Sequence, residues 1–317
     1  MEDFIYSLNA TMPIFLVMAA GYFLRRIGLL NENFVTVANR FNFKVTLPIL
    51  LFMQISAMDL QADFDPLYFF FCIGATLASI LAIWLLSARL VKDRTQVGSF
   101  IQGAYRGSAA VLGVAFIQNI YGNAGLAPLM IVAAVPLYNI FAVIILTIYG
   151  EHPAGPQNSR GSIKRTLLNI VTNPIIIGIA AGVPFSLLHL RLPAMLDKTL
   201  ASFADMSTPI ALVAIGAGFE GGKALARLKP TLAAALIKLA VQPAVFLPIA
   251  IALGFRGQEL VALLIMLGAP TTVSSYIMAK NMGNDGVLAS SIIVATTVLS
   301  SITVTAWIFL LRSAGVL

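Results

Sequence analysis

The sequence predicts an all-α polytopic membrane protein with about ten transmembrane helices in two inverted five-helix repeats. Three observations predict this: an apolar excess, a division into blocks of bilayer length, and a register shared by the two halves. Of the 317 residues, 59% are hydrophobic and 10% charged, and the mean hydropathy is +0.92. Soluble domains carry roughly 45–50% apolar and about 25% charged residues. The pI of about 9.7 and net charge of +7 do not indicate nucleic acid, because the basic residues are scattered between apolar blocks and form no basic face.

A helix needs about 20 apolar residues to cross the hydrocarbon core. The first span, 4–24, follows Glu2-Asp3 without a basic flank and precedes Arg25-Arg26, so it reads as retained and not as a cleaved signal. Spans at 33–57 and 66–90 are separated by Asp59, Asp63 and Asp65, and the third holds Cys72, the one cysteine, so no disulfide framework is expected. Spans at 98–120 and 126–149 complete the first half. The stretch from Glu151 to Arg165, rich in Gly, Pro and Ser, reads as a linker. Spans at 169–189, 199–219, 230–253, 259–280 and 286–311 follow, with Asp197, Lys198 and Asp205 crowding the seventh. The expected organisation is a first repeat over 1–150, a cytoplasmic linker over 151–168, and a second repeat over 169–317.

Orientation follows from Lys and Arg in short loops. Arg25, Arg26, Arg89, Lys92, Arg94, Arg160, Lys164, Arg165, Lys223, Arg227, Lys229 and Lys280 fall on the odd-to-even side, and Arg191, Lys198, Arg256 and Arg312 on the other. This about threefold bias predicts both termini non-cytoplasmic, and the expected location is the cytoplasmic (inner) membrane.

A shift of 161 positions lays Pro48, Ile49 and Leu51 on Pro209, Ile210 and Leu212. It also lays Gly107 on Gly268, and Gly122-Asn123-Ala124-Gly125 on Gly283-Asn284-Asp285-Gly286. Five crossings per half reverse the second copy, and inverted repeats of this kind build secondary transporters with a midplane site.

The chemistry concentrates in the fourth and ninth spans. Gly103, Arg106, Gly107, Ser108 and Gly113 suit a continuous lipid-facing helix poorly, and Pro270 removes a backbone donor just ahead of Thr271, Thr272, Ser274 and Ser275. Broken helices survive in a membrane only where protein or water solvates the freed backbone groups. Both spans therefore read as discontinuous helices whose half-helix N-termini face an anion. Arg106 at mid-span costs roughly 2.5–3.5 kcal/mol on insertion scales. It serves either a substrate carboxylate or a structural partner. Tyr138 and Asn139 line a cavity or bond between helices, and Asp205 and Lys238 form a coupling pair or lie near helix ends. HExxH, a phosphate loop and paired intramembrane aspartates are all missing from the sequence, so no enzyme is expected.

Asn39-Arg40-Phe41 with Thr46-Leu47-Pro48, Ser207-Thr208-Pro209-Ile210-Ala211-Leu212 with Ile215-Gly216-Ala217, Lys238-Leu239 with Pro243, and Ala269-Pro270 through Ser274-Ser275 with Ala279-Lys280 resemble, in order, four spans of the auxin efflux carrier family. The chain looks like a compact, bacterial-type malate or malonate permease-like member. The resemblance implies a scaffold plus a transport domain with crossed discontinuous helices, as in sodium/bile-acid symporters, and homodimers through the scaffold. Ser108 stands where many members have asparagine, and Ala115 where they have the crossing proline.

The expected function is a secondary transporter moving a small organic anion, a mono- or dicarboxylate, by alternating access. Alternatives are a sodium-coupled symporter of larger amphipathic anions and a non-transporting ligand sensor. The expected substrate-binding residues are Arg106, Ser108, Tyr138, Asn139, Pro270, Thr271, Thr272, Ser274 and Ser275, with Asp205 and Lys238 as the charge pair. No cofactor, metal or nucleic acid is expected; the partners are a small carboxylate and the lipid bilayer, and coupling to a proton or a sodium ion stays open.

Overall fold

The computed structural model describes residues 16–57, 65–109, 126–150, 171–219 and 225–317, together with 13 and 168. Among the described residues, all regular structure is helical. Among those residues, five helices are each long and apolar enough to cross a bilayer: Pro66–Ser87, Leu129–Tyr149, Ala194–Ala217, Leu228–Ala252 and Gly286–Ser313. The linker up to residue 167, the fourth span beyond 109 (with Ala115) and the turn at 122–125 lie outside the described residues.

Helix α1 covers 16–26. Helix α2 (Glu32–Phe41) passes through a π-helical stretch, Asn42–Thr46, into α3 (Leu47–Ser56), so the second span is one rod with a widened turn. Helices α4 (Pro66–Leu90), α5 (Arg94–Tyr105) and α6 (Ala127–Tyr149) follow. In the second half come α7 (Pro174–Leu187), α8 (Ala194–Ala217) and α9 (Leu228–Leu236). A second π-helical stretch, Ile237–Val241, joins α9 to α10 (Gln242–Ala252). The chain ends in α11 (Gln258–Gly268), α12 (Ser274–Asn281) and α13 (Gly286–Ser313).

The starts are written in the sequence. Asn31, Asp65, Asp93, Asn173 and Asp285 each accept a first-turn backbone N–H at 2.9–3.1 Å. Such caps contribute about 1 kcal/mol each. The seventh span starts at Ala194, earlier than the expected 199, because Asp197 and Lys198 are exposed on its first turns and do not interrupt it. Asp197 near that N-terminus also suits the helix dipole.

Two groups of helices emerge from the packing. Helices α1, α2, α3, α7 and α8 form a panel, held at short range by glycine. Gly216 of α8 lies against the Met18 carbonyl of α1, and Gly178 of α7 against the Pro48 carbonyl of α3, where a side chain would collide with backbone. Small residues allow this approach in the absence of a hydrophobic drive between helices in lipid. The remaining helices surround a larger core that includes Tyr105, Met130, Tyr138, Leu263 and Ile292. The two groups meet at α12, whose Tyr276, Ile277 and Met278 share a buried cluster with Leu47, Leu51 and Ile215 of the panel.

The connections gather at two ends. At one, the Asp285 N–H donates to the Thr95 carbonyl, Arg227 pairs with Asp285 at 2.8 Å, and Arg25 donates to the Ala217 carbonyl. At the other, Tyr68 packs on Phe255, and the Gly257 N–H donates to the Val316 carbonyl. The residues around Arg25, Thr95 and Arg227 thus share one end.

Candidate functional site

Helices α5 and α11, in the expected fourth and ninth spans, each end in an extended stretch, and the two stretches meet. Helix α5 ends at Tyr105, and Arg106 is already extended (φ −82°, ψ 123°). Helix α11 ends at Gly268, Ala269 is extended (φ −69°, ψ 154°), and α12 resumes at Ser274. The two extended stretches bond across each other. The Ser108 N–H donates to the Pro270 carbonyl at 2.9 Å, and the Thr271 hydroxyl to the Gly103 carbonyl at 2.7 Å. The Thr271 N–H donates in turn to the Thr296 hydroxyl of α13 at 3.1 Å.

A helix end leaves its last carbonyls without intrahelical donors, a serious cost inside a membrane. Here side chains supply the donors. Of the last α5 carbonyls, Gly103 takes Thr271, Ala104 takes Gln242 Nε2 at 2.6 Å, and Tyr105 takes Lys238 Nζ at 3.2 Å. Pro270 has no N–H to offer Met266, whose carbonyl instead accepts from Lys238 at 3.1 Å and from the Tyr138 hydroxyl at 3.1 Å. Lys238 also donates to the Leu267 carbonyl at 2.7 Å. It belongs to the second π-helical stretch; widened turns of this kind recur at functional sites.

Beside the crossing lies a cavity of about 60 Å³ between the two groups of helices. A water needs about 10–15 Å³ of such space, so a few waters or one small polar group would fit. The crossing contributes Arg106, Gly107, Ser108, Thr272, Val273 and Ser274, and α6 contributes Val135, Tyr138 and Asn139. The panel contributes Leu47, Leu50, Leu51, Gln54, Ser207 and Thr208, with Ile277 of α12 closing the wall. Arg106 is 3% exposed. Its guanidinium donates to Asn139 Oδ1 at 2.5 Å and to the Met278 sulfur at 2.9 Å. With the Gln102 amide turned to satisfy both of its ends, Gln102 accepts from Arg106 at 3.0 Å and donates to the Ser275 carbonyl at 3.2 Å. Among the described residues, no carboxylate pairs with Arg106 or Lys238. Arg106 and the N-terminal turn of α12 at Ser274 therefore place positive charge at the cavity wall. Outside the spans, hydrogen bonds from Thr95 and Gln96 hold the Asp93 carboxyl below its ordinary pKa.

The model of a family described as membrane transport protein matches residues 6–308, nearly the whole chain. The chain belongs to this family, that of the auxin efflux carriers. An uncharacterized transporter of Methanothermobacter thermautotrophicus is 23% identical over 310 residues, covering 96% of this chain and 98% of that one. One from Methanocaldococcus jannaschii is 21% identical over 309 residues, covering 95% and 97%. The uncharacterized transporter YfdV of Escherichia coli is 22% identical over 290 residues, covering 87% and 88%.

Of the residues singled out in this membrane transporter, Arg106, Ser108, Tyr138, Asn139, Thr272 and Ser274 come together around the cavity. Pro270, Thr271 and Ser275 do not line it; the first two make the bonds that hold the crossing, and Ser275 is buried behind it. The expected Asp205–Lys238 pair does not form. Asp205 is exposed on α8, whereas Lys238 is fully buried with its ammonium taken by three carbonyls. Sequence reasoning missed the panel wall of Gln54, Ser207 and Thr208. The repeat register, which aligned Pro48, Ile49 and Leu51 with Pro209, Ile210 and Leu212, ended short of Gln54 and began just after Thr208.

Proposed function

We propose that this transporter carries a small organic anion, a mono- or dicarboxylate, across the cytoplasmic membrane by alternating access. The chain crosses ten times in two inverted repeats, 1–150 and 169–317, joined by a cytoplasmic linker over 151–168, with both termini outside. The panel serves as the scaffold, and the crossing with its surrounding helices moves against it. Arg106 binds the carboxylate, helped by Ser108, Asn139, Thr272 and Ser274 and by the N-terminal turn of α12.

The observation that carries this reading is Arg106. It is a buried guanidinium without a carboxylate partner among the described residues, and it lines a polar cavity between two groups of helices. A charge at that depth is costly unless it faces water or an opposite charge, which marks it as a substrate contact. The cavity's size supports a small anion over a large amphipathic one. The test is uptake of a panel of mono- and dicarboxylates into proteoliposomes. Wild-type protein takes up at least one acid, and Arg106→Ala at equal reconstitution does not. Equal uptake by the variant would remove Arg106 from the site.

A further inference from the structure

Lys238 has no part in the binding step above, and its setting is unusual. Its ammonium is fully buried, lacks a carboxylate partner among the described residues, and meets the carbonyls of Tyr105, Met266 and Leu267 at 3.2, 3.1 and 2.7 Å. Tyr105 closes α5, and Met266 and Leu267 lie in the last turn of α11, so the ammonium sits where two half-helix C-termini converge. Each such end carries about half a negative charge. Unwound carbonyls and half-helix C-termini are also the groups with which transporters coordinate a free coupling cation. Gly107 leaves the space for the ammonium: a Cβ there would lie 2.9 Å from Nζ and 3.2 Å from the Met266 oxygen.

We propose that Lys238 is a built-in cation, tethered in the position that a free alkali ion would otherwise take at the crossing. The ammonium neutralises both helix ends in every state in which the crossing is intact, so this position neither binds nor releases sodium during transport. The consequence for coupling rests on the carrier reading above; the site itself does not. In Lys238→Ala the three carbonyls face an empty stem channel, and a small cation from solution takes the vacated place.

The test is thermal unfolding of the purified full-length protein in detergent, titrated with sodium, potassium or ethylammonium chloride against choline chloride at constant ionic strength. Wild-type protein shows the same Tm in all four salts. Lys238→Ala unfolds several degrees lower in choline and regains most of that loss in at least one of the three small cations, saturably. Lys238→Met, which fills the stem space without a charge, stays low in every salt. A saturable rise of wild-type Tm with sodium overturns the proposal and needs no variant. A Lys238→Met protein as stable as wild type, or a folded Lys238→Ala protein indifferent to all three cations, overturns it as well. None of these readouts involves flux, so failure here is distinguishable from failure of the carboxylate reading.

Discussion

Arg106 shows how far one residue can be read in isolation. Its charge stands out in an apolar run, and the cost of that charge pointed to a partner or a cavity. The structure supplies both: Asn139 and Met278 fix the guanidinium, and the cavity opens beside it. Hydrogen bonds to charged groups contribute about 1.5–3 kcal/mol, which corresponds to roughly ten- to 150-fold in affinity. Arg106→Lys keeps the charge but loses the planar fork, so carboxylate affinity falls by at least about tenfold in equilibrium binding. Lys238 was legible as a charge within a span, either paired with Asp205 or near a helix end; its burial and its partners were not. Backbone carbonyls have no signature in a sequence, and the acid that looked available, Asp205, faces outward. Asp93 gives a pH prediction. Its carboxyl is held low by Thr95 and Gln96, so the folded state favours the ionised form. That stability is present above the unfolded pKa of about 3.9 and is lost as pH falls through the lower folded value. Thermal unfolding from pH 6 to about 3 therefore shows a smaller acid loss for Asp93→Asn than for wild type.

At the scale of elements, helix positions followed from apolar length, a property of each segment alone. The breaks after Tyr105 and Gly268 were legible for the same reason: glycine, proline and hydroxyl residues act on their own backbone. What the sequence did not reveal is how each loose end is satisfied, because Gln242, Lys238, Tyr138 and Thr296 come from three other spans. Nor did it reveal the two π-helical stretches, which depend on packing around Asn42 and Lys238. The crossing predicts that Gly107→Ala, which places a methyl against the Lys238 ammonium, lowers Tm by several degrees. At the panel, Gly216→Val drives a branched side chain into the Met18 carbonyl and separates α1 from α8. Overpacking of this kind costs typically about 1–3 kcal/mol, measurable as reduced Tm and reduced yield of monodisperse protein.

For the molecule as a whole, the apolar excess and the charge bias are sums over many residues, and such sums survive local misreadings. They give a polytopic membrane protein and a basic end that the fold assembles from separate loops, while the family, now matched over residues 6–308, was carried by the order of the motifs. The side of the membrane is testable because the chain has one cysteine, Cys72, which is buried. In a Cys72→Ser background, a membrane-impermeant thiol reagent applied to intact cells labels Arg256→Cys and spares Lys92→Cys until the membrane is opened. The reverse pattern inverts the proposed orientation.

The most direct measurement concerns the anion itself. A brominated analogue of the carboxylate that the uptake panel identifies, bound to wild-type protein in crystals, locates its bromine by anomalous scattering. A single bromine peak is expected in the cavity between the crossing and the panel, with the carboxylate within hydrogen-bond reach of Arg106. A fully occupied peak elsewhere, with that cavity holding only water, would contradict it.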